Sequence, residues 1–235
     1  MEESKVKLIA NIKRTPSVES FRFSPKKIAF IPGQFLQLIF DEDNEDNKNL
    51  NKYLSFSSSP SKDYIEVTKR LSDSDFSSRL KGLKINQELL IKAPLGNCIF
   101  KEEYKKIAFL IGGIGITPVI SIIEYIMDKK LDTDVALFYS NRTEEEIAFR
   151  QELDSWQGKN NRIKVFYAVT ESPPQDSNCL FGRIDKNLLT EKARDYEERI
   201  FFIFGPPKMV EAMDALCLEA GCKKENIKKE NFIGY

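Results

Sequence analysis

The chain has 235 residues, enough for one large domain or two ordinary ones, and its 36 lysines and arginines balance 36 aspartates and glutamates. This balance excludes a global electrostatic attraction to nucleic acid or to an anionic membrane. Histidine is absent, which excludes histidine-based acid–base catalysis, histidine-ligated zinc and axial-histidine haem. We therefore expect no metal site, and we expect a bound cofactor to carry any chemistry.

The N-terminal segment is charged and lacks an apolar signal core, and no later segment approaches membrane-spanning length. The sequence therefore predicts a soluble cytoplasmic protein without a membrane span. The cysteines are scattered along the chain, at Cys98, Cys179, Cys217 and Cys222. Without an export signal, they are expected to be reduced thiols.

Up to about residue 102, the pattern is typical of β-structure. Short apolar or alternating runs occur at Val6–Ala10, Phe35–Phe40 and Tyr64–Val67. Turn-prone residues separate them, including Pro32-Gly33 and the polar stretch 41–52. This part of the chain predicts an antiparallel β-barrel or sandwich.

A change of pattern follows at Ile107–Ile111, an apolar run without polar alternation that predicts a strand buried on both faces. A glycine-rich turn comes next, with Gly112, Gly113 and Gly115. Thr117 is then expected to cap a helix, with Pro118 at its first position. A strand, glycines and a helix start in this order favour a bound pyrophosphate, although the third glycine of the GxGxxG pattern is replaced by Pro118. The alternative is an ordinary tight turn of an α/β domain.

Strands and helices alternate through the rest of the chain. Strands are predicted at 135–139, 163–169 and 200–204, and helices at 144–156, 185–193 and 207–220. This alternation predicts a doubly wound α/β domain. We therefore expect two domains, 1–102 and 103–235.

Several motifs in one order resemble those of the ferredoxin–NADP reductase superfamily. They are Pro32-Gly33-Gln34-Phe35 (PGQF), residues 52–60 (KYLSFSSSP, similar to RPYSIASSP), Val67-Thr68-Lys69-Arg70 followed by Ser77-Ser78-Arg79-Leu80, Ala93-Pro94-Leu95-Gly96 (GPxG), residues 112–118 (GGIGITP), Gly205-Pro206-Pro207-Lys208-Met209 (CGPPxM) and residues 230–235 (ENFIGY). The resemblance covers nearly the whole chain. It implies an antiparallel flavin-binding β-barrel followed by a doubly wound α/β domain that binds NAD(P).

The resemblance implies a flavin site in the first domain; FAD is favoured because it is the more frequent flavin in the family, and FMN is the alternative. The residues of this site are Lys52, Tyr53, Leu54, Ser55, Phe56, Val67, Lys69, Ser77 and Ser78. Lys52 replaces the usual arginine, so it keeps the charge but loses the bidentate fork. Leu54 replaces the usual aromatic residue and cannot stack on the flavin.

In the second domain, the same resemblance implies a dinucleotide site. Its residues are Gly113, Gly115, Thr117, Pro118, Ser140, Arg142, Arg183, Gly205 and Pro206. Ser140 and Arg142 follow the strand at 135–139, where the adenosine ribose of a dinucleotide usually lies. Together with Arg183, they favour the 2′-phosphate of NADPH over NADH, whereas the alternative for each arginine is a solvated surface residue.

The residues expected nearest the hydride transfer are Ser55, Phe204, Phe232 and Tyr235. Phe204 stands where many relatives have cysteine, and Phe232 or Tyr235 is expected either to cover the flavin ring or only to tether the last strand. The implied activity is an NAD(P)H-dependent flavin reductase that passes electrons to a separate acceptor such as ferredoxin, flavodoxin or an oxygenase or haem partner. The alternative is a non-catalytic flavin- or nucleotide-binding regulatory module.

Overall fold

The computed structural model describes residues 2–24 and 28–232 and consists of two compact units. Unit 1 contains the described residues up to Phe100 together with Thr117–Lys129, and unit 2 contains Lys101–Ile116 and the described residues from Lys130 onward. Within the described residues, no helix is both long and apolar enough to cross a bilayer. The four cysteines are free thiols.

Unit 1 is built on an antiparallel sheet. Its strands are β1 (Glu2–Lys13), β2 (Val18–Ser24), β3 (Phe35–Ile39), β4 (Asn51–Ser55), β5 (Ile65–Arg70) and β6 (Glu88–Leu95). Its helices are α1 (Asp75–Lys81) and α2 (Ile116–Lys129), of which all but the first residue belongs to this unit. The strand order is β4-β3-β6-β1-β2-β5. A bridge between Phe56 and Val67 joins the two edges, so the sheet is a nearly closed barrel. The predicted antiparallel barrel is confirmed.

Alternation along β1 shows how side chains reach the core of the barrel. In β1, Val6 and Leu8 are buried while Lys5 and Lys7 are exposed. The buried positions meet the aromatic residues Phe21 and Phe23 and other inward side chains in a single cluster. Removal of this apolar surface from water stabilises the barrel.

Unit 2 contains a parallel sheet. Its strands are β7 (Lys106–Gly112), β8 (Asp134–Asn141), β9 (Ile163–Val169), β10 (Cys179–Phe181), β11 (Ile200–Gly205) and β12 (Ile227–Asn231), and its helices are α3 (Arg150–Lys159), α4 (Lys186–Lys192) and α5 (Pro207–Ala220). The strand order is β10-β9-β8-β7-β11-β12, with all pairs parallel. The predicted doubly wound α/β fold is confirmed. The winding reverses between β7 and β11, which is where such folds place their ligands.

The helix predicted at 144–156 begins later than expected. Residues Glu144–Glu146 form a short 3₁₀ turn, and α3 starts only at Arg150. The intervening Ile147, Ala148 and Phe149 are buried, and Phe149 takes a left-handed conformation with φ 60°. Because these apolar side chains pack into the core, the chain leaves the helical path that periodicity alone favours.

The prediction that Thr117 caps a helix is wrong. A 3₁₀ turn at Gly113–Gly115 follows β7 directly, and α2 begins at Ile116. Gly113 has φ 52°, a conformation that glycine adopts without strain. The glycines therefore let the chain wind up immediately after the strand, and Thr117 lies inside the helix.

Gly115 is the tightest point of this turn. A Cβ atom there would lie 2.3 Å from the carbonyl oxygen of Phe204 and 2.7 Å from its carbonyl carbon. These are backbone atoms at the end of β11, so they cannot swing aside. The turn after β7 and the end of β11 therefore touch through their main chains.

We expect Gly115→Ala to lower the free energy of unfolding by about 1–3 kcal/mol, because the methyl group must push two backbones apart. Thermal unfolding of the full chain measures the effect. Gly158→Ala is the matched control: this α3 glycine has open space around it, and alanine there should be neutral or stabilising by about 0.5 kcal/mol. Equal melting temperatures for the two variants would contradict a close contact between Gly115 and the main chain of Phe204.

Candidate functional site

The motif on β4 is divided between two faces. Tyr53 is 64% exposed and Ser55 is partly exposed, whereas Leu54 and Phe56 are buried in the barrel core. The ring of Tyr53 meets the ring of Phe35 edge to face at 5.7 Å. Tyr53 and Ser55 therefore offer side chains to a ligand, while Leu54 and Phe56 have only their backbone to offer.

Two lysines of unit 1 form a site suited to an anion. Lys69 is only 6% exposed; burial lowers its pKa, and the positive charge of Lys52 lowers it further. The Lys69 ammonium lies 5.9 Å from the ring centroid of Phe76. Because burial and the charge of Lys52 make ionisation of Lys69 more costly, a phosphate group placed beside Lys69 would offset that cost. These residues therefore fit a phosphate-bearing flavin, although the neighbouring Val67 is packed in the core.

The predicted serines differ in their accessibility. Ser74 caps α1 by accepting a hydrogen bond from the backbone N–H of Ser77 at 3.3 Å. The Ser77 side chain is fully buried, and its hydroxyl bonds Ser72 and Ser74 at 3.3 and 3.1 Å. Ser78 is exposed. Of the two predicted serines, only Ser78 therefore presents its side chain to solvent.

A buried ionic network lies behind this motif, and sequence reasoning missed it. The Glu66 carboxylate, 2% exposed, is paired with Arg14 at 3.0 Å and with Arg22 at 2.7 Å. On the same strand, the Thr68 hydroxyl bonds the Ser57 hydroxyl at 2.7 Å. The signal in the sequence was a charged residue inside the apolar β5 run. The network fixes the segment that follows β4.

The next two serines are held by α2. The Ser121 hydroxyl donates to the carbonyl of Ser58 at 2.7 Å, and the Glu124 carboxylate accepts from the N–H of Ser59 at 2.7 Å. Burial raises the pKa of Glu124, while the Ser59 N–H and Lys62 oppose that shift. The Ser57–Ser59 segment is consequently anchored at each residue.

Unit 2 has a cavity of about 700 Å³ at the carboxyl edge of its sheet. Ser140, at the end of β8, and Thr170, just after β9, line it with hydroxyl groups, and Arg183 and Lys208 line it with positive charges. Both cations are exposed, and neither has an ion pair within residues 2–24 and 28–232. Asp185 and Glu219 also line the cavity, but Asp185 caps α4 by accepting from the N–H of Leu188.

This cavity contains Ser140 and Arg183 of the predicted site but does not have Arg142 in its lining. Arg142 is 71% exposed and pairs with Glu171 at 3.5 Å. Lys208 was missed at the sequence level, although its place in the GPPKM turn pointed to this edge of the sheet. The structure thus brings together one predicted arginine, one predicted serine and two unpredicted lysines, Lys186 and Lys208.

The predicted turn residues pack closely at the switch point. The Met209 side chain fills the space beside two glycines. Its sulfur lies 3.4 Å from the point where a Cβ atom on Gly112 would be, and 3.0 Å from the corresponding point on Gly205. Gly113 is half exposed, whereas Gly115 and Gly205 are buried, and Pro206 is exposed at the start of α5. Thr117 and Pro118 are buried, so neither side chain is open to solvent.

Phe204 is fully buried, and its ring stacks on that of Phe232 at 6.3 Å. The backbone N–H of Phe232 donates to the carbonyl of Gly205 at 2.9 Å, so Phe232 extends the line of β12 along β11. Its role as a cover over a flavin stays a prediction. Tyr235 lies outside the described residues.

Glu230 is a further residue that sequence reasoning missed. It lies on β12 in register with Phe204, and burial raises its pKa. Within the described part of the chain, its carboxylate has no hydrogen-bond or ion-pair partner. A half-buried carboxyl group without such a partner is costly to ionise. It therefore marks this end of the sheet as a candidate functional position.

We expect Glu230→Gln to raise the melting temperature at pH 7.5 and to leave it unchanged at pH 4. The folded state holds the Glu230 proton more tightly than the unfolded state, so stability falls as pH rises from the ordinary glutamate pKa through the raised one. Thermal unfolding at several pH values measures this. Glu211→Gln, at an exposed position of α5, is the control; a Glu230→Gln effect independent of pH would contradict the assignment.

Among residues 2–24 and 28–232, no group of three or more histidine, cysteine or acidic side chains could hold a metal ion. The cation pair of unit 1 and the cation-lined cavity of unit 2 instead suit phosphate-bearing organic ligands. Among the described residues, each unit therefore has a candidate anion-binding region.

Comparisons with known proteins agree with this division. Residues 5–100 match the family model of the oxidoreductase FAD-binding domain, and residues 109–215 match that of the oxidoreductase NAD-binding domain. The chain is 33% identical over 170 residues to a nitrate reductase [NADH] of Cucurbita maxima, covering 67% of this chain but 18% of that protein. It therefore spans less than a fifth of that relative's length.

Two further relatives match over most of both chains. NADH-cytochrome b5 reductase 1 of Ajellomyces capsulatus is 28% identical over 225 residues, covering 90% of this chain and 72% of that protein. The structure of a ferredoxin NADP⁺ reductase from Neisseria gonorrhoeae with bound FAD and NADP superposes with a TM-score of 0.81 at 22% identity, covering 98% of this chain and 99% of that one, which shows a common fold. With an FAD-binding barrel followed by an NAD-binding α/β domain, the chain belongs to the ferredoxin–NADP reductase superfamily of flavin-dependent oxidoreductases.

Proposed function

We propose that the chain is an NAD(P)H-dependent flavin reductase that passes electrons to a separate acceptor, with residues 1–102 as its flavin domain and 103–235 as its dinucleotide domain. The observation that carries this proposal is the cavity at the carboxyl edge of the parallel sheet, where Ser140, Arg183 and Lys208 meet beside the switch point. Hydroxyls and unpaired cations in this position are the groups that bind a phosphorylated ribose.

A flavin, when bound, supplies the chemistry: it accepts a hydride from NAD(P)H and releases the two electrons singly or as a pair. The chain's own residues bind and orient. Lys52 and Lys69 would hold a flavin phosphate, and the exposed ring of Tyr53 offers an aromatic surface. No side-chain acid is needed for the hydride itself, which agrees with the absence of histidine.

Rigidity of the flavin segment supports the same function. Ser57, Ser58 and Ser59 are each held by a hydrogen bond to Thr68, Ser121 or Glu124. A segment anchored in this way keeps the preceding Ser55 and Tyr53 at fixed positions, and fixed polar groups beside a flavin set its reduction potential without reorganising during turnover.

The electron acceptor is proposed by class. Among relatives, cytochrome b5 is named for the Ajellomyces reductase and ferredoxin for the Neisseria enzyme. A small one-electron carrier protein is common to both. We therefore propose a small one-electron carrier protein as the physiological acceptor: a haem protein, an iron–sulfur protein or flavodoxin.

We expect the purified chain to be yellow and to lose its flavin colour when NADPH is added without oxygen. Adding ferricyanide, cytochrome b5 or ferredoxin to the reduced protein then restores the colour, because each accepts single electrons. Absorbance in an anaerobic cell measures both steps. A colourless protein that takes up no added flavin, or a flavin that neither nucleotide bleaches, would leave only a regulatory binding module.

Coenzyme choice has its own test. We expect Arg183→Ala and Lys208→Ala each to lower kcat/KM for NADPH about tenfold, the usual worth of a charged hydrogen bond, while NADH turnover changes little. Arg142→Ala removes an arginine outside the cavity and is the comparison. Steady-state rates with both nucleotides measure the effect. A larger loss of kcat/KM for NADPH in Arg142→Ala, or equal losses of kcat/KM for NADH and NADPH in the cavity variants, would contradict this interpretation of the cavity.

A further inference from the structure

Unit 2 contains a pair of cysteines that the proposed function does not use. Cys217 lies in the last turn of α5, and Cys222 follows directly after the end of that helix. Cys217 is completely buried, Cys222 is 6% exposed, and both belong to one apolar cluster. Both are free thiols, and among the described residues no further cysteine, histidine or acidic side chain completes a metal site with them.

The end of α5 brings these two residues together through the main chain. Gly221 takes a left-handed conformation with φ 99°, and its N–H donates to the carbonyl of Leu218 at 3.0 Å. The N–H of Cys222 donates to the carbonyl of Cys217 at 2.9 Å. These two bonds form the Schellman motif, in which the side chains at the positions of Cys217 and Cys222 usually make an apolar contact. Here two thiols occupy those positions.

The separation of the two residues suits a disulfide. A 2.9 Å hydrogen bond between the main chains of Cys217 and Cys222 keeps their α carbons less than about 7 Å apart. Disulfides join residues whose α carbons lie within about that distance and whose side chains point toward each other. The two thiols are hydrogen-bonded to each other, so their side chains do meet. A bridge can therefore form without a large movement of the main chain.

The surroundings of the two sulfurs make them chemically unequal. Burial raises the pKa of both thiols. The hydrogen bond between them raises the pKa of Cys217 further, whereas it opposes the shift at Cys222. Because the thiolate is the reactive form, Cys222 is the attacking sulfur and Cys217 the one that closes the bridge. The reaction is slow while the cap is closed, and it proceeds when the last turn of α5 opens.

The end of α5 also lies beside the cavity of about 700 Å³ in unit 2. Met213 and Leu216, which precede Cys217 on the helix, line this cavity together with Glu219. Lys186 lines it as well, and its ammonium donates to the carbonyl of Glu219 at 3.0 Å. A change at the helix end therefore acts on residues of the cavity wall.

We propose that Cys217 and Cys222 are a redox-sensitive pair, which hydrogen peroxide converts to a disulfide that fixes the end of α5 beside this cavity. The Cys222 thiolate attacks one peroxide oxygen and breaks the O–O bond, which gives a sulfenic acid and, with the released proton, one water. The Cys217 sulfur then attacks the sulfenic sulfur, and the hydroxyl group leaves with the Cys217 proton as a second water. The two thiols lose two electrons and two protons, and the peroxide is reduced to two waters.

Mass spectrometry of the peroxide-treated full chain tests the proposal. Trypsin cleaves after Lys208 and Lys223, so both cysteines fall in the single peptide 209–223. After the remaining thiols are alkylated in denaturant, we expect this peptide to have lost two hydrogen atoms and to carry no alkylating reagent. Dithiothreitol should restore both alkylation sites. A wild-type peptide that still takes up two reagent molecules after overnight treatment, or that carries a sulfinic acid in place of the bridge, would overturn the proposal.

Two variants identify the partners in the bridge. Cys222→Ser removes the attacking sulfur, so Cys217 should stay reduced and take up one reagent molecule. Cys179→Ser is the matched control, because it removes another buried cysteine that lies outside the pair. It should form the bridge as wild type does, and loss of the bridge in this variant would contradict the pairing. The measurement on wild type does not depend on either variant remaining folded.

Hydrogen exchange measures the effect on the helix end. We expect the backbone amides of residues 217–222 to exchange at least about threefold more slowly in the oxidised chain than in the reduced one, because the bridge opposes opening of the last turn. Peroxide-treated Cys222→Ser should show no such slowing. Equal exchange in the two forms of wild type would overturn the claim that the bridge fixes α5. Neither experiment requires flavin or nucleotide, so their outcome is independent of the proposed function.

Discussion

The contact between Gly115 and the main chain of Phe204 is the constraint on which the dinucleotide region depends. A methyl group on residue 115 would lie 2.3 Å from the Phe204 carbonyl oxygen, so only glycine lets the turn after β7 lie against the end of β11. These strands flank the point where the winding reverses. The contact therefore aligns the two turns that would border a dinucleotide bound at this switch point.

A second set of interactions gives unit 1 a comparable rigidity by different means. The barrel buries Glu66 between two arginines and ties Ser57 to Thr68, so the segment after β4 is fixed by polar groups rather than by apolar packing. Breaking such a network is costly because it leaves a buried charge uncompensated. Lys52 and Lys69 have the opposite character, because the charge of Lys52 disfavours the charged form of Lys69 and a phosphate placed there would stabilise it.

Much of the fold could be predicted from local pattern, because strands such as 163–169 and the helix at 207–220 have their periodicity undisturbed. The prediction failed where tertiary packing overrides periodicity. Phe149 leaves the helical path to bury its ring, and Gly113 starts the winding before Thr117. Both errors lie at element ends, where a single residue decides the path of the chain.

The candidate site was less predictable, since motifs identify segments but not the direction of side chains. Alternation along β4 buries Leu54 and exposes Tyr53, which no spacing rule could fix without knowing which face is inside. Glu230 and Lys208 were missed because their importance lies in what the sheet places beside them. Its position after β8 made Arg142 a candidate for binding the 2′-phosphate. The structure distinguishes it from Arg183, because Arg183 lines the cavity whereas Arg142 pairs with Glu171 outside it.

A crystal structure of the full chain with FAD and NADP⁺ bound is the decisive measurement for the dinucleotide site. We expect the dinucleotide at the carboxyl edge of the parallel sheet, with its pyrophosphate accepting hydrogen bonds from the backbone of the Gly113–Gly115 turn and its 2′-phosphate in contact with Arg183 or Lys208. Electron density for the nucleotide away from that edge, or a 2′-phosphate that neither cation reaches, would contradict this assignment.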